Sequence, residues 1–82
     1  MNKPWFVYIL LCGDGTYYTG ITTDVDRRVA THTSGKGAKY TRGRGPFIIK
    51  HIETMANKSE ALKREYMIKK LPLKSKIELW TK

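Results

Sequence analysis

Short apolar segments along the chain are separated by turn signals and by amphipathic segments. Trp5–Leu11 is apolar on both faces and rich in aromatic and β-branched residues, which is typical of a central β-strand. The turn signal Gly-Asp-Gly at positions 13–15 follows, so residues 17–21 are predicted to form the second strand of an antiparallel hairpin. Residues 47–53 have a similar composition and are predicted to form a third strand.

Amphipathic segments between and after the strands predict three helices. Thr23 can cap a first helix over residues 24–33, which Gly35 would end. Asn57 can cap a second helix that continues to about residue 71, because Pro72 interrupts it there. A short third helix follows, in which three apolar residues share one face: Leu73, Ile77 and Trp80.

The order of these elements, ββαβαα, predicts an α+β fold with a small three-stranded antiparallel sheet flanked by helices. Helices are needed as cover because an isolated hairpin is only marginally stable. The chain has 82 residues and is expected to form a single domain over residues 1–82. Its one cysteine, Cys12, lacks a disulfide partner, and the sequence shows no signal peptide or membrane span, so a cytoplasmic protein is expected.

Positive charge is concentrated in the middle of the chain. The sequence has 16 Lys and Arg against 7 Asp and Glu, a net charge of +9, and residues 27–52 contain no acid. The electric field of such a charge attracts polyanions, so nucleic acid is the expected partner, and DNA is preferred to RNA. An anionic membrane surface or an acidic protein would suit the same charge, but we expect no membrane partner.

Residues 34–46 are glycine-rich and basic and are predicted to form a long loop. Because the glycines give freedom and the cations give charge, we expect this loop to be mobile alone and to contact phosphates when nucleic acid is bound. The residues expected to contact nucleic acid are Arg27, Lys36, Lys39, Arg42 and Arg44.

Two tyrosines of the predicted hairpin are candidate site residues. Side chains alternate along a strand, so a turn centred near Gly13 or Asp14 places Tyr8 and Tyr18 on the same face of the sheet. Gly20 shares that face and would leave room for a ligand. Ordinary strand packing is the alternative, since tyrosine is common in strands. Tyr17 points to the other face and is expected to be structural.

Arg28 and His32 are four residues apart on the first helix and therefore neighbours on one of its faces. An arginine and a histidine beside a buried stripe could bind phosphate and transfer protons. The alternative is a solvated helix edge, with the arginine stem packed against apolar neighbours.

Glu65 is predicted to lie on the apolar stripe of the second helix, with Ala61 and Ile68. Burying a carboxylate without a partner is costly, so this position requires a cation, a hydrogen-bond donor or a metal ion. A salt bridge to Arg28 and ligation of a metal ion both satisfy that requirement, and the sequence leaves the two open.

These residues occur in an order that resembles the GIY-YIG nuclease superfamily. Phe-Val-Tyr ends at Tyr8, Tyr-Thr-Gly starts at Tyr18, and Arg28, His32 and Glu65 follow on two helices. The stretches Tyr-Thr-Gly-Ile-Thr-Thr at 18–23 and Ser-Gly-Lys-Gly-Ala-Lys at 34–39 are similar to those of the family's small, stand-alone bacterial branch. The sequence departs from the family pattern in two respects. Of the two name-giving motifs, only the tyrosines and the last glycine are kept, and no asparagine follows Glu65.

The resemblance implies a metal-dependent endonuclease that hydrolyses phosphodiester bonds in DNA, with repair or recombination as the candidate process. It implies that Glu65 holds a single Mg²⁺ or Mn²⁺, that Arg28 steadies charge on the phosphate, and that a tyrosine or His32 takes a proton from water. The alternatives are a binding module of the same fold without catalysis, or an adaptor that docks an acidic protein. A protein partner could supply specificity. The implied catalytic residues are Tyr8, Tyr18, Arg28, His32 and Glu65.

Overall fold

The computed structural model describes residues 3–81. Its elements confirm the predicted ββαβαα order and add a single 3₁₀ turn within the predicted loop. They are β1 Trp5–Leu11, β2 Tyr17–Thr22, α1 Val25–Thr33, the 3₁₀ turn Lys39–Thr41, β3 Ile48–Met55, α2 Lys58–Lys70 and α3 Leu73–Thr81. No helix within this part of the chain is both long and apolar enough to cross a lipid bilayer.

The three strands form one antiparallel sheet in the order β2-β1-β3, so the hydrophobic strand β1 is central, as its two apolar faces predict. In the β1–β2 register, Tyr8 lies opposite Gly20 and Leu10 lies opposite Tyr18. Residues that face each other across an antiparallel pair project to the same side. The register between β1 and β3 shifts at Ile9 and Leu10.

The hydrophobic core lies on the face of the sheet that carries Val7 and Ile9. These two side chains are fully buried against Ala61 and Ile68 of α2. Partly buried apolar side chains complete the core: Trp5, Tyr17, Ile21, Met55, Leu79 and Trp80. Helices α2 and α3 therefore cover this face, and α1 contacts the opposite one, where His32 bonds Tyr8. Burial of large aliphatic side chains contributes about 1.5–3 kcal/mol each.

Several predicted boundaries need correction. Asp24, not Thr23, caps α1, because its carboxylate reaches the backbone N–H of Arg27 at 3.1 Å. Strand β3 begins one residue later than predicted and continues to Met55, because it pairs with β1 as far as Trp5. Asn57 caps α2 as predicted, accepting from the N–H of Glu60 at 2.9 Å.

The last helix does not bury all of its predicted apolar face. Leu73 is 60% exposed, while Ile77 and Trp80 are half-buried. Trp80 packs on Tyr17 with a ring-centroid distance of 5.4 Å, which confirms that Tyr17 serves the core. Leu73 lies in the first turn of α3, immediately after Pro72.

Glu53 of β3 forms a part-buried ion cluster on the core side of the sheet. Arg64 of α2 donates two hydrogen bonds to its carboxylate, at 2.7 and 2.9 Å, and His51 Nε2 lies 2.8 Å from it. The Arg64 hydrogen bonds hold the pKa of Glu53 below its ordinary value, although burial acts in the opposite direction. The bidentate geometry fixes α2 against β3.

This cluster predicts an acid-sensitive contribution to stability. Because the pKa of Glu53 is lower in the folded protein than in the unfolded chain, the contribution is complete above about pH 4.3 and is lost as pH falls through the lower folded value. Glu53→Gln should lower the free energy of unfolding at pH 7 by about 1.5–3 kcal/mol. It should also reduce the acid limb, which is the fall in the free energy of unfolding between pH 7 and pH 3. Denaturant titrations between pH 3 and 7 measure this, with exposed Glu60→Gln as the matched control. An unchanged acid limb in Glu53→Gln would contradict the assignment.

Candidate active site

Tyr8 and Tyr18 lie on the same face of the sheet, as strand parity predicts. Their ring centroids are 6.2 Å apart. Gly20 beside them does not leave room for a ligand, because the tyrosine rings fill that room: a Cβ at Gly20 would lie 2.6 Å from the Tyr8 hydroxyl. The glycine is required so that both rings can lie over β2.

His32 projects from α1 into this face and is completely buried, so a solvated helix edge is ruled out for it. Its Nε2 lies 2.9 Å from the Tyr8 hydroxyl and its Nδ1 lies 2.8 Å from Oγ1 of Thr41. The edge of its ring also meets Tyr18, at a centroid distance of 5.1 Å. The imidazole of His32, on α1, thus contacts residues of β1, of β2 and of the loop.

The buried pair is uncharged at neutral pH. Burial raises the pKa of Tyr8 to about 12, against the opposing effect of the Arg28 guanidinium. Burial also lowers the pKa of His32, and the positive charge of Arg28 lowers it further. Tyr8 therefore holds a phenol proton and His32 is a neutral imidazole, so neither carries a resting charge.

Arg28 is half-buried beside both phenols. The nearby Tyr8 hydroxyl is the main cause that raises the pKa of the guanidinium, and Tyr18 adds to the effect. Arg28 and Arg27 also border a surface groove of about 290 Å³ whose wall includes Lys3. The guanidinium is thus positioned between the tyrosines and a basic groove.

A second groove, of about 230 Å³, borders Tyr18. Tyr40 of the loop stacks on Tyr18 with a centroid distance of 5.9 Å, and the Arg44 guanidinium lies over Tyr40 at 4.6 Å. The groove is lined by Tyr17, Tyr18, Thr19, Tyr40, Lys69 and Lys76. Of these, Tyr40, Lys69 and Lys76 were not predicted. The spacing of Lys69, one helical turn after Glu65, was the available signal.

Glu65 lies on α2, the helix that packs on the opposite face of the sheet, and its side chain is 18% exposed. Among the ion pairs of residues 3–81, its partner is Lys69 at 3.4 Å, so the proposed salt bridge to Arg28 is wrong. The reason is geometric: Lys69 is on the same helix face, and it lines the groove beside Tyr18. The negative charge of Glu65 also raises the pKa of the Tyr8 phenol, and its contribution is the smallest of those that raise this pKa.

A divalent ion at Glu65 fits the donor set of this site. Within the described residues, no three His, Cys, Asp or Glu side chains cluster to hold a metal ion by themselves. Mg²⁺ is commonly bound through one or two carboxylates, with waters and substrate phosphates as the other ligands. A single half-buried carboxylate beside a groove lined by Lys69 and Lys76 is compatible with that arrangement.

The basic loop is anchored at two points. Thr41 is buried against His32, and Arg44 pairs with Asp14 of the hairpin turn as well as covering Tyr40. Lys36, Lys39 and Arg42 are exposed. Arg44 is therefore tied to the protein, whereas the other three loop cations predicted to contact nucleic acid face solvent.

The sheet, its helices and this cluster of tyrosines, arginine and histidine lie within the catalytic domain of a known family. The model of the GIY-YIG catalytic domain matches residues 4–78, and the chain therefore belongs to the GIY-YIG family. It is 49% identical over 79 residues to a UPF0213 protein of Oceanobacillus iheyensis, covering 96% of this chain and 92% of that protein. It is 63% identical over 65 residues to a UPF0213 protein of Halobacterium salinarum, covering 79% and 84%.

Two solved structures agree with the fold. The solution NMR structure of a UPF0213 protein from Bacillus halodurans has a TM-score of 0.59 and 54% identity, covering 93% of this chain and 81% of that one. The solution NMR structure of a protein from E. faecalis has a TM-score of 0.65 and 46% identity, covering 94% and 82%. The predicted family and α+β fold are confirmed.

Proposed function

We propose that the protein is a metal-dependent endonuclease that hydrolyses phosphodiester bonds in DNA, acting in DNA repair or recombination. The observation that carries this proposal is that Arg28 borders one basic groove and Tyr18 borders another, while both lie beside the buried Tyr8–His32 pair. The GIY-YIG family supports the reaction class. The net charge of +9 supports a polyanionic substrate.

The two grooves would hold the phosphates on either side of the bond that breaks. Arg27 and Lys3 line one groove, and Lys69 and Lys76 line the other, so the backbone of a nucleic acid could cross the sheet at Tyr18. Lys and Arg contacts to phosphates supply affinity and position without reading sequence. Specificity would then come from the loop or from a protein partner.

Arg28 is the residue best placed to stabilise the reacting phosphate. Its guanidinium is half-buried, fixed beside Tyr8 and Tyr18, and borders a groove. A preorganised cation in a partly desolvated site stabilises developing negative charge more strongly than one in water.

Tyr18 is the tyrosine best placed to accept the proton of the attacking water, in its phenolate form, whose negative charge the neighbouring Arg28 guanidinium or the divalent ion would offset. Tyr8 is only 1% exposed and its hydroxyl is engaged by His32, whereas Tyr18 is half-buried and lines a groove. Tyr8 and His32 would not contact the substrate but would position Arg28 and the Tyr18 ring. A divalent ion held by Glu65 would supply Lewis-acid stabilisation of the phosphate and a more acidic water.

A cleavage assay tests the proposal directly. Purified protein is incubated with duplex, branched and single-stranded DNA in Mg²⁺ or Mn²⁺, with a chelator as the control. We expect cleavage of at least one DNA structure and its complete loss with the chelator. Salt-dependent DNA binding without cleavage under any condition would instead support a non-catalytic binding module, and the absence of DNA binding would support an adaptor for an acidic protein.

Replacing the exposed loop cations tests whether they bind phosphates. The triple variant Lys36→Ala, Lys39→Ala, Arg42→Ala should weaken DNA binding and reduce the slope of log K against log salt by about 1 for each of these cations that binds a phosphate. Fluorescence anisotropy at several salt concentrations measures both. The matched control removes three exposed lysines from α2 and α3, Lys63, Lys70 and Lys74, and should change the slope less. Equal slopes in the two triple variants would exclude a specific role for the loop.

A further inference from the structure

The hydrogen bonds around His32 run in one direction, from the active site to the loop. The hydroxyl of Thr41 donates to the carbonyl oxygen of Ala38 at 2.9 Å. A carbonyl only accepts, and a hydroxyl has a single proton, so Oγ1 of Thr41 must act as acceptor toward His32 Nδ1, 2.8 Å away. The proton of the neutral His32 imidazole is therefore on Nδ1.

This tautomer decides how Tyr8 is oriented. With its proton on Nδ1, His32 presents a bare Nε2, which accepts the Tyr8 hydroxyl proton at 2.9 Å. The lone pairs of the Tyr8 oxygen are then free for Arg28, which can only donate. In the opposite tautomer, Nε2–H would donate to Tyr8, and the phenol proton would need another acceptor, which the Arg28 guanidinium cannot provide.

Thr41 belongs to the 3₁₀ turn of the basic loop and is buried although most of its loop neighbours are exposed. Gly37 of the same loop allows this approach, since a Cβ at that position would overlap the His32 ring. We propose that Thr41 is a positioning residue that fixes the Nδ1–H tautomer of His32 and so directs the Tyr8 hydroxyl and Arg28. The loop that carries Lys39 and Arg42 is thereby an integral part of the site.

The wild-type protein gives the first test, which is independent of nuclease activity. Long-range ¹H–¹⁵N NMR spectra distinguish Nδ1–H from Nε2–H imidazoles, and the chain has 2 histidines. His51 is an internal reference, because its Nε2 faces the Glu53 carboxylate at 2.8 Å and must carry a proton. We expect His32 to be Nδ1–H near neutral pH. An Nε2–H signal for His32 would overturn the proposal.

Thr41→Val and Thr41→Ser give the second test. Valine keeps the shape, and the backbone N–H at position 41 still bonds the Ala38 carbonyl at 3.0 Å, but the acceptor for His32 is removed. We expect Thr41→Val to shift His32 toward Nε2–H while the His51 signals stay unchanged, and Thr41→Ser to restore the wild-type spectrum. An unchanged His32 tautomer in folded Thr41→Val would overturn the proposal, and the serine variant and wild type remain decisive if valine prevents folding.

The activity measurement rests on the proposed function. Loss of an outer hydrogen-bond partner in a metal site typically costs about 10- to 100-fold, and we expect a similar loss in kcat for Thr41→Val, with DNA affinity retained and most activity recovered in Thr41→Ser. A fall in DNA affinity with kcat unchanged would assign Thr41 to binding and overturn the positioning role. If the wild type cleaves no DNA, the nuclease proposal fails, and the two NMR tests alone decide the role of Thr41.

Discussion

Glu65→Gln is expected to abolish metal-dependent cleavage, with a loss of at least about a thousand-fold, because several kcal/mol of transition-state stabilisation depend on the charge that would hold the ion. The glutamine keeps the size of the side chain but removes its charge. DNA affinity should be retained or slightly increased, since Lys69, now without its partner at 3.4 Å, lines the groove beside Tyr18. Folding should be retained because an amide is less costly to bury than a carboxylate.

A matched control and a readout of metal binding make this test specific. Glu60 is also on α2, is exposed and pairs only loosely with Lys63 at 4.0 Å, so Glu60→Gln should cleave normally. Mn²⁺ binding in the presence of uncleaved DNA, followed by electron paramagnetic resonance, should weaken in Glu65→Gln alone. Normal cleavage by a folded Glu65→Gln protein would show that Glu65 is not the metal ligand.

Tyr18→Phe is expected to reduce kcat by about 10²- to 10⁴-fold, the usual contribution of a positioned proton acceptor. The ring contacts with Tyr8, His32 and Tyr40 involve the aromatic body of the side chain and should be retained. DNA affinity and the thermal unfolding temperature should therefore change little. Single-turnover cleavage with saturating protein separates this loss of chemistry from a loss of binding.

Tyr66→Phe is the matched control for that experiment. Tyr66 lies on α2, is 61% exposed and lines neither of the two grooves, and its contact with Lys70 involves the ring, which phenylalanine keeps. The same chemical change outside the proposed site then tests whether the Tyr18 hydroxyl itself is needed. Equal losses in the two variants would count against Tyr18 as the proton acceptor.

Much of the site could be predicted because its parts are fixed within single elements. The period of two in a strand places Tyr8 and Tyr18 on one face once a short turn joins β1 and β2. The helical spacing of four residues makes Arg28 and His32 neighbours in the same way. These relations depend on backbone geometry alone, so the alternation of residues along the chain was sufficient to predict them, and the ordered motifs indicated the family.

The tertiary structure decided which side chains meet across elements. The sequence allowed Glu65 to pair with Arg28, but α2 packs on the face opposite α1, and the carboxylate pairs with Lys69 instead. Arg44 reaches Asp14 across 30 positions of the chain, and Thr41 of the loop folds back onto the buried His32. Strand and helix periods fix directions only within one element. The partners of Glu65 and Thr41 follow from how several elements pack around β1, which no local pattern encodes.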